Sequence, residues 1–413
     1  MKGKERGLGR GIMETKMKIL VIRGSTKIAN SAFMKAMRKM GIDVSEYTEI
    51  DNTNEVTEEA VYKLSGIIKE RGITHLFSIH LIYAAAIAAF DAGVKYICYI
   101  WDAPYVKVYS DLGRLDNCWY STFDKLDCKR WQDAGLPHVL YQPLAVNADD
   151  FHKWNKKRIR QYGSNRYIHD VCFVGQLYET NLYDQNLHMI PPDMREYFES
   201  IFEEAAFKWD GENRIYGKTS SEIINYIKLH NQEFQVGNIS DLDDLSFFEQ
   251  FFLVRKIANI ERTILLRTLA EEYDVTLYTT NVTDKSILGN VKIMPPVAAG
   301  EKVSMVYSGS KINLNMALKG IEGGTPQRVM EIMASGGFVM SGYCPETAEL
   351  FEEDKEIVMF KTPEELFEKV DYYLGHDKER REIAARGWEK VLTQYTLEKK
   401  FRQLFDWVNG KDI

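Results

Sequence analysis

The chain has 413 residues, of which 45% are hydrophobic and 27% charged, and its formal net charge is −7 at neutral pH. This length is too great for one ordinary hydrophobic core and predicts two domains, and the composition is typical of a soluble globular protein. The negative charge argues against broad, sequence-independent nucleic-acid binding. No run approaches the roughly 18 apolar residues of a membrane span, so no transmembrane helix is expected.

The cysteines and the start of the chain indicate where the protein works. Five cysteines are widely spaced and form no CxxC pair, which is typical of buried thiols in a reducing cytoplasm and not of disulfides or zinc sites. Residues 1–16 are basic and glycine-rich without the apolar segment of a signal peptide, and they are predicted to be a disordered tail. We therefore expect a cytoplasmic protein.

Residues 17–150 alternate short apolar runs with longer amphipathic ones. The apolar runs are MKILVIR, DVSEYTEI, THLFSIH, VKYICYIW, NCWYSTF and HVLYQPL. Strands separated by helices predict a doubly wound parallel sheet, in which ligands bind at the carboxyl ends of the strands. This part of the chain is therefore predicted to be a Rossmann-like domain.

Polar residues directly follow three of these predicted strands. Gly24 and Ser25 follow the first, His80 follows the third and Asp102 follows the fourth. The Gly24–Ser25 turn lacks the GxGxxG fingerprint, so it is also explained as a tight connection, and His80 is also explained as a structural histidine. Asp102 lies between a tryptophan and Ala-Pro, where a rigid and partly dry environment can tune a base; an Asx turn is the alternative.

The rest of the chain predicts a second domain of the same α/β kind. Residues 151–169 are polar and basic and are interpreted as a linker. Residues 170–392 are predicted to be a second Rossmann-like domain, with a helical insertion over residues 187–244. Residues 393–413 carry an amphipathic helix that is predicted to pack back on the core. Two such domains facing each other leave a cleft between them.

The sequence KGIEGGTPQRVMEIMASGGFVMSG, residues 319–342, predicts a glycine loop, a short helix and a buried strand. Gly324 permits a tight turn, and Thr325 is predicted to cap the helix. Free amides at a helix start beside Arg328 attract a phosphate or pyrophosphate, and Glu331 lies where its carboxylate can accept both hydroxyls of a ribose. The alternative is an exposed ion pair between Arg328 and Glu331, worth roughly a few tenths of a kcal/mol.

One DxD string, residues 241–243, raises the question of a metal site. It stands just before a predicted long helix and is interpreted as a cap that complements the helix dipole, with metal binding as the alternative. Neither a metal ion nor another cofactor is expected.

Several ordered blocks of the chain resemble a known family. SKINLNM, TPQRVMEIMASGGFVMSG and EELFEKVDYYLGHDKERREIAARG resemble the C-terminal domain of GT-B glycosyltransferases of the CgeB-like spore-maturation group. YICYIWDAPYV, STFDKLDCKRWQDAGLPHVLYQPLAVNADDF and DVCFVGQLYETN resemble the domain that commonly accompanies it. The resemblance implies two Rossmann-like domains, with a nucleotide-sugar held mainly by the C-terminal one and the acceptor mainly by the N-terminal one.

The resemblance also implies roles for residues around the phosphates and the ribose. Glu331 takes the place of the glutamate that holds the donor ribose. Gly324, Thr325 and Arg328 then lie near the diphosphate, and Lys311 is a second candidate for phosphate charge.

Further positions follow from the same resemblance. Tyr278, Thr280 and Pro296 would border the base. Many retaining relatives carry two glutamates separated by seven residues, whereas Glu322 and Glu331 have eight residues between them. Glu322 therefore receives no role, and retention or inversion of the anomeric configuration stays open.

The implied activity is metal-independent transfer of a sugar from a nucleotide-diphosphate donor, with UDP favoured, to a cell-surface, spore-coat or protein acceptor. If the enzyme inverts, Asp102 is the base that takes the acceptor proton; if it retains, Asp102 positions the acceptor. Gly24, Ser25 and His80 are expected on the acceptor side. The alternatives are a sugar-nucleotide epimerase or hydrolase on the same fold, and a nucleotide-sugar-binding structural protein without turnover.

Overall fold

The computed structural model of the protein describes residues 17–23, 27–49, 56–163, 167–230, 249–280 and 282–411. The predicted tail of residues 1–16, the Gly24–Ser25 turn and the DxD string of residues 241–243 lie outside these ranges. Within them, the strands form two separate parallel sheets of six strands each. The prediction of an α/β fold with two Rossmann-like domains is therefore confirmed.

The first sheet is built from the apolar runs of the N-terminal domain. Its strands are β1 Lys18–Ile22, β2 Asp43–Tyr47, β3 His75–Ile79, β4 Lys95–Tyr99, β5 Cys118–Thr122 and β6 Val139–Tyr141. Their order in the sheet is β2-β1-β3-β4-β5-β6. The helices of this domain are α1 Lys27–Lys39, α2 Glu58–Arg71, α3 Tyr83–Ala92 and α4 Lys125–Asp133, with 3-10 turns at Val106–Tyr109 and Asp111–Arg114. Because every pair is parallel, the carboxyl ends of all six strands meet at one edge.

The second sheet is also parallel throughout. Its strands are β7 His169–Val174, β8 Val275–Tyr278, β9 Lys292–Met294, β10 Ser310–Asn315, β11 Val339–Gly342 and β12 Val358–Phe360. Their order is β12-β11-β10-β7-β8-β9. Strands β10, β7 and β8 are neighbours in this order, so their carboxyl ends lie side by side at one edge of the sheet. Parallel sheets bind ligands at this edge.

The helices after β6 cover the second sheet or form the insertion, except for the last one, which packs on the first domain. They are α5 Ala148–Tyr162, α6 Leu182–Asn186, α7 Pro192–Ala205, α8 Ser221–His230, α9 Arg255–Glu272, α10 Glu301–Ser308, α11 Gln327–Ala334, α12 Pro345–Leu350, α13 Pro363–Gly375, α14 Asp377–Gln394 and α15 Leu397–Val408. A π-helical turn, Glu249–Val254, precedes α9, and 3-10 turns occur at Leu187–Met189 and Lys285–Leu288. The described part of the predicted insertion, residues 187–230, contains two α-helices and a 3-10 turn, with a non-helical segment over residues 206–220. Among the described helices, none is long and apolar enough to cross a membrane.

The predicted linker of residues 151–169 is mostly helical. Helix α5 begins after Asn147, whose side chain caps its first turn. Midway along the helix, Asn155 donates a hydrogen bond to the Ala334 carbonyl at 3.1 Å, at the end of α11. The connection between the domains is therefore a capped helix that is bonded to the second domain. The linker interpretation missed it because the helix is mostly polar and only a few of its residues, such as Phe151 and Arg158, are buried.

The last helix, α15, returns to the first domain. Its Phe401 ring meets the rings of Phe33, Phe77 and Tyr99 edge-on, at centroid distances of 5.1, 5.8 and 6.0 Å. Aromatic pairs in this arrangement add roughly 0.5–1.5 kcal/mol beyond the burial of their area. The predicted packing of the C-terminal helix on a core thus occurs on the N-terminal domain, so the chain crosses between its domains twice.

A carboxylate of the first domain fastens the glycine loop of the second. Oδ1 of Asp124 caps α4 by accepting the N–H groups of Leu126 and Asp127 at 2.9 and 3.1 Å. Oδ2 of Asp124 accepts the Gly323 N–H at 2.9 Å. At the next position Gly324 packs on Phe123, since a Cβ on Gly324 would lie 2.8 Å from the Phe123 ring and 3.0 Å from its carbonyl oxygen. The close approach that requires glycine here is therefore between the two domains.

Replacing Asp124 with alanine should destabilise the folded protein by about 2–4 kcal/mol. About 1 kcal/mol comes from the lost cap, and about 1–3 kcal/mol from leaving the buried Gly323 N–H without a partner. Differential scanning calorimetry measures the change as a lower unfolding temperature. Asp133→Ala on the same helix is the matched control, because 66% of that side chain is exposed. Equal unfolding temperatures for the two variants would contradict the role given to Asp124.

Candidate active site

Two adjoining pockets form one cleft between the sheets. The first, about 420 Å³ and here called the arginine pocket, is lined by Gly175, Tyr178, Arg262, Tyr278 and Arg328 among others. The second, about 590 Å³ and here called the apolar pocket, lies against both domains. Its lining includes Phe33, Trp101, Asp102, Phe151, Trp154, Val303 and Glu331. Trp101 and Gln327 line both pockets, so a ligand can extend from one into the other.

The arginine pocket lies where parallel-sheet proteins bind ligands. Gly175 follows β7, Thr279 and Thr280 follow β8, and Pro296 follows β9. The predicted base-binding residues Tyr278, Thr280 and Pro296 are brought together in its wall. Since these residues come from the carboxyl ends of three neighbouring strands, the sheet topology explains their convergence.

Two guanidinium groups share one aromatic ring in this pocket. Arg262 and Arg328 lie 5.2 and 5.5 Å from the centroid of the Phe173 ring. A Cβ on Gly175 would come within 3.2 Å of both terminal nitrogens of Arg328, so glycine leaves the room that this side chain occupies. The described lining of the pocket contains no carboxylate, and neither arginine forms an ion pair within the described residues. The pocket therefore concentrates positive charge that an anion can neutralise.

Arg262 is held in place by backbone carbonyls. Its terminal nitrogens donate to the carbonyls of Gln176 and Met316, at 2.7 and 2.5 Å. Its Nε has no hydrogen-bond partner among the described residues. Burial, and next the nearby charge of Arg328, lower the pKa of Arg262 to about 10, so it remains a cation at neutral pH. Arg262 therefore gives the pocket a fixed positive wall.

Arg262 was not predicted as a site residue, although the sequence carries a signal for it. Helix α9 buries an apolar face made of Leu265, Leu266 and Leu269. Glu261 and Arg262 fall on the same buried face and are only 1% and 3% exposed. Charged residues at core positions of an amphipathic helix are rarely buried without a role, and that pattern identifies this arginine.

Glu331 lies one helical turn beyond Arg328 and faces the apolar pocket. Burial raises its pKa to about 7, while Arg328 and a hydrogen bond with Gln327 oppose the rise. Arg328 and Glu331 form no ion pair with each other, which excludes the exposed-pair alternative for these described residues. Arg328 of α11 therefore lines the arginine pocket, and Glu331 of the same helix lines the apolar pocket.

Thr325 does not cap helix α11, and the proximity of Gly324 and Thr325 to a diphosphate stays a prediction. Helix α11 begins at Gln327 and has no side-chain cap, so the prediction that Thr325 caps it is wrong. The hydroxyl of Thr325 is buried and bonds instead to the carboxylate of Glu346 and to Thr347. Because Gly324 packs on the first domain, these two residues shape the domain interface behind the helix start.

Lys311 is not brought to the cleft. It is the second residue of β10, so it lies at the amino end of a parallel strand, the edge opposite to the arginine pocket. There its Nζ pairs with Oδ1 of Asp170 at 2.7 Å. The predicted contact of Lys311 with the donor phosphates is therefore wrong.

His80 and Asp102 lie together at the carboxyl edge of the first sheet. The Trp101 N–H donates to Nε2 of His80 at 3.3 Å, and Oδ2 of Asp102 lies 3.4 Å from the same nitrogen. His80 stacks on the Tyr105 ring at 5.0 Å. Burial lowers the pKa of His80, with Asp102 opposing and Lys107 adding to the decrease, so the ring is neutral at pH 7. A neutral imidazole beside a carboxylate can hold or accept a proton.

His80 has an unusual backbone conformation, and the side chain of Asp102 is exposed to solvent. His80 has φ of 64°, a left-handed conformation that costs a non-glycine residue roughly 1–3 kcal/mol. The Asp102 side chain is 76% exposed, which corrects the prediction of a partly dry carboxylate. The Trp101 ring lies inward, and the carboxylate of the next residue therefore points toward the solvent of the cleft. Of the predicted acceptor-side residues, Gly24 and Ser25 lie outside the described residues.

Comparisons with known proteins agree with this geometry. Residues 259–406 match the family described as glycosyl transferase-like. Anabaena HepE, solved in complex with UDP, is 11% identical with a TM-score of 0.51, covering 95% of this chain and all of HepE. Sucrose-phosphate synthase of Thermosynechococcus elongatus is 9% identical with a TM-score of 0.54, covering 95% of this chain and 99% of the synthase. No curated protein matches the chain.

These matches differ in what they establish. The two structures cover both domains and show the fold, while the family match covers α9 to α15 and includes Arg262, Arg328 and Glu331. Neither kind of match distinguishes the CgeB-like group from other glycosyltransferases. The chain has a GT-B fold, and its residues 259–406 match a glycosyl transferase-like family.

Proposed function

We propose that the protein is a glycosyltransferase of the CgeB-like group that moves a sugar from a nucleotide-diphosphate donor to an acceptor hydroxyl. The observation that carries the proposal is the pair of arginines, Arg262 and Arg328, in a pocket without carboxylates at the strand ends of a GT-B cleft. Two guanidinium groups fit the oxygens of a diphosphate in charge and in hydrogen-bonding geometry. During transfer the leaving diphosphate gains negative charge, which these groups are placed to stabilise.

The donor extends along helix α11. In this proposal the diphosphate contacts Arg328, the ribose hydroxyls contact Glu331, and the base lies among Tyr278, Thr280 and Pro296. UDP is the proposed nucleotide, and its support is that HepE, which has the same fold, was solved in complex with UDP. A pyrimidine also suits a pocket of about 420 Å³ that must hold the diphosphate as well.

The positive charge of the two arginines makes a metal ion unnecessary in this proposal. The cation that balances a leaving diphosphate in metal-dependent enzymes is here replaced by Arg262 and Arg328. Activity is therefore expected to be unchanged in the presence of EDTA. A loss of activity that added Mg²⁺ or Mn²⁺ restores would contradict metal independence while leaving donor binding in place.

The acceptor approaches through the apolar pocket. Phe33 and Trp101 form its wall on the first domain, and the indole nitrogen of Trp101 has no hydrogen-bond partner among the described residues. Asp102 stands at the same wall, next to His80. We propose that Asp102 takes the acceptor hydroxyl proton if the reaction inverts the anomeric carbon, and that it positions the acceptor if the reaction retains it. The proposed acceptor is a cell-surface, spore-coat or protein group.

If the reaction inverts the anomeric carbon, Asp102→Asn should lower kcat by at least 100-fold and leave the Kd for UDP unchanged. The reason is that the amide keeps the shape of the side chain but cannot accept a proton, and general-base catalysis contributes roughly 10²–10⁴-fold. Steady-state kinetics and calorimetric titration with UDP measure the two quantities. Asp111→Asn, an exposed carboxylate of the same domain, is the control. An unchanged kcat would remove Asp102 from catalysis.

The function is tested by incubating the protein with UDP-, GDP- and dTDP-sugars and following each product. Release of a nucleoside diphosphate that increases with an added acceptor supports transfer. Release without dependence on any acceptor indicates a hydrolase, and an altered sugar still attached to its nucleotide indicates an epimerase. Binding without any chemical change indicates a structural nucleotide-sugar-binding protein, and absence of binding would contradict the whole proposal.

A further inference from the structure

A third pocket, here called the rear pocket, lies away from the cleft. It has a volume of about 250 Å³ and is lined by Arg158, Lys311, Arg380, Arg381 and Trp388 among others. Lys311 is at the amino end of β10, and Tyr167, which also lines the pocket, precedes β7. The cleft is at the carboxyl ends of the same strands, roughly 15–20 Å away, because each strand residue advances about 3.3 Å. The rear pocket is therefore a separate site on the second domain.

The chemistry of this lining is that of an anion site. It contains four cationic side chains and no carboxylate among its described residues. Lys311 is paired with Asp170, and Arg380 and Arg381 are both paired with Asp377, so four cations are met by two carboxylates just outside the lining. Arg380 is only 1% exposed and its Nε has no hydrogen-bond partner among the described residues. The indole nitrogen of Trp388 is likewise buried without a partner. Both atoms are donors, so each is satisfied by a ligand that accepts hydrogen bonds.

The rest of the lining combines aromatic rings with small polar residues, which are Asn155, Ser308, Ser310 and Ser335. Phe338 and Tyr167 line the pocket with the Trp388 ring, and Arg380 lies 5.3 Å from the centroid of the Tyr167 ring. Two alanines, Ala384 and Ala385, leave the space open on the side of α14. A pocket with cations at one side and flat walls at the other suits an anionic group attached to a planar apolar one.

Two helices connect the rear pocket to the cleft. Helix α11 begins at Gln327 in the cleft, and Ser335, just after its end, lines the rear pocket. On α5, Trp154 lines the apolar pocket and its neighbour Asn155 lines the rear pocket. The hydrogen bond from Asn155 to the end of α11 joins the two helices. A ligand that shifts either helix therefore acts on both sites.

We propose that the rear pocket binds a small organic phosphate or carboxylate that carries a flat apolar group, and that this binding alters the affinity of the cleft for its own ligand. Arginine recognises both anions in the same bidentate manner, so the two sources share one chemistry. Binding at the rear pocket does not depend on the function proposed for the cleft, whereas the coupling rests on that function because UDP is the ligand that reports it.

Calorimetric titration of the full chain with phenyl phosphate, and separately with benzoate, tests the proposal. At least one should bind with a stoichiometry of one, while phenol, which lacks the charge, should not. Arg381→Glu should weaken binding at least 10-fold; its side chain is 41% exposed but is paired with Asp377 at 3.7 Å, so the unfolding temperature checks that the variant folds. Lys378→Glu on the same helix makes the same charge change outside the pocket and should bind as the unmodified protein does. Ala385→Trp, which fills the pocket, should abolish binding.

Binding at the cleft has to be distinguished from binding at the rear. Phenyl phosphate should still bind when UDP is saturating and when Arg328 is replaced by alanine, and its presence should change the Kd for UDP at least twofold. Competition between the two ligands, or loss of phenyl phosphate binding in Arg328→Ala, would place the anion in the cleft and overturn the proposal. Equal affinities for Arg381→Glu and Lys378→Glu would do the same, and an unchanged Kd for UDP would refute the coupling.

Discussion

Replacing Arg328 with alanine is expected to lower kcat/KM for the nucleotide-sugar by about 10²–10³-fold, since one charged donor aimed at developing negative charge contributes on this scale. Arg328 is better suited to this test than Arg262, because Arg262 is bonded to two backbone carbonyls and its loss would leave both of them unsatisfied in the core. The side chain of Arg328 instead rests on the Phe173 ring, next to open pocket volume. Its removal is therefore expected to change catalysis more than folding.

Two further variants separate charge from geometry at this position. Arg328→Lys keeps the charge but loses the planar fork, so its kcat/KM should fall between those of the unmodified protein and of the alanine variant. Arg267→Ala removes an exposed arginine of α9 outside the pocket and should change kcat/KM less than twofold. The unfolding temperature of each variant checks that the fold is kept. If Arg328→Ala and Arg267→Ala had the same kcat/KM, the arginine pocket would not be the diphosphate site.

The sheets could be predicted because the signal for each strand is local. A run such as THLFSIH is apolar over its whole length, and the structure has β3 at His75–Ile79 with every side chain buried. Alternation of such runs with amphipathic segments was enough to specify two parallel sheets. The start of α11 could not be predicted to the residue, because Thr325 bonds to Glu346 and Thr347, which are 21 and 22 positions further along the chain.

The candidate site was partly predictable for a related reason. Arg328 and Glu331 belong to one short helix, so their separation into neighbouring pockets follows from helical geometry. Lys311 illustrates the opposite case: it stands at the start of its strand, and in a parallel sheet the rule that ligands bind at carboxyl ends already argues against it. Arg262 lies more than 60 positions before Arg328, and only the packing of α9 against β7 brings the two onto the same ring.

Glu331→Gln should reduce the ability of the protein to distinguish UDP from 2′-deoxy-UDP. A hydrogen bond from a ribose hydroxyl to a carboxylate is worth about 1.5–3 kcal/mol, so the unmodified protein should bind UDP roughly 10- to 100-fold more tightly than the deoxy compound. The amide keeps one acceptor, and the ratio should fall to a few-fold. Calorimetric titration gives all four Kd values. Glu368→Gln, an exposed carboxylate on α13, should keep the original ratio, and an unchanged ratio in Glu331→Gln would remove Glu331 from the ribose site.

The raised pKa of Glu331, about 7, adds a pH dependence with opposite signs for binding and for stability. Above pH 7 the carboxylate offers two acceptors to the ribose diol, whereas its protonated form offers one, so the Kd for UDP should rise as the pH falls from 8 to 6. UDP itself titrates in this range, and the ratio of Kd values between Glu331→Gln and the unmodified protein isolates the contribution of the carboxyl.

The stability of the free protein changes in the opposite direction. Since the pKa of Glu331 is higher in the folded than in the unfolded state, the folded state binds the proton more tightly, and the stability due to Glu331 falls as the pH rises from about 4.5 to 7. An exposed carboxyl outside the ribose site would show neither trend, because the first requires a contact with the ribose and the second requires a buried carboxyl.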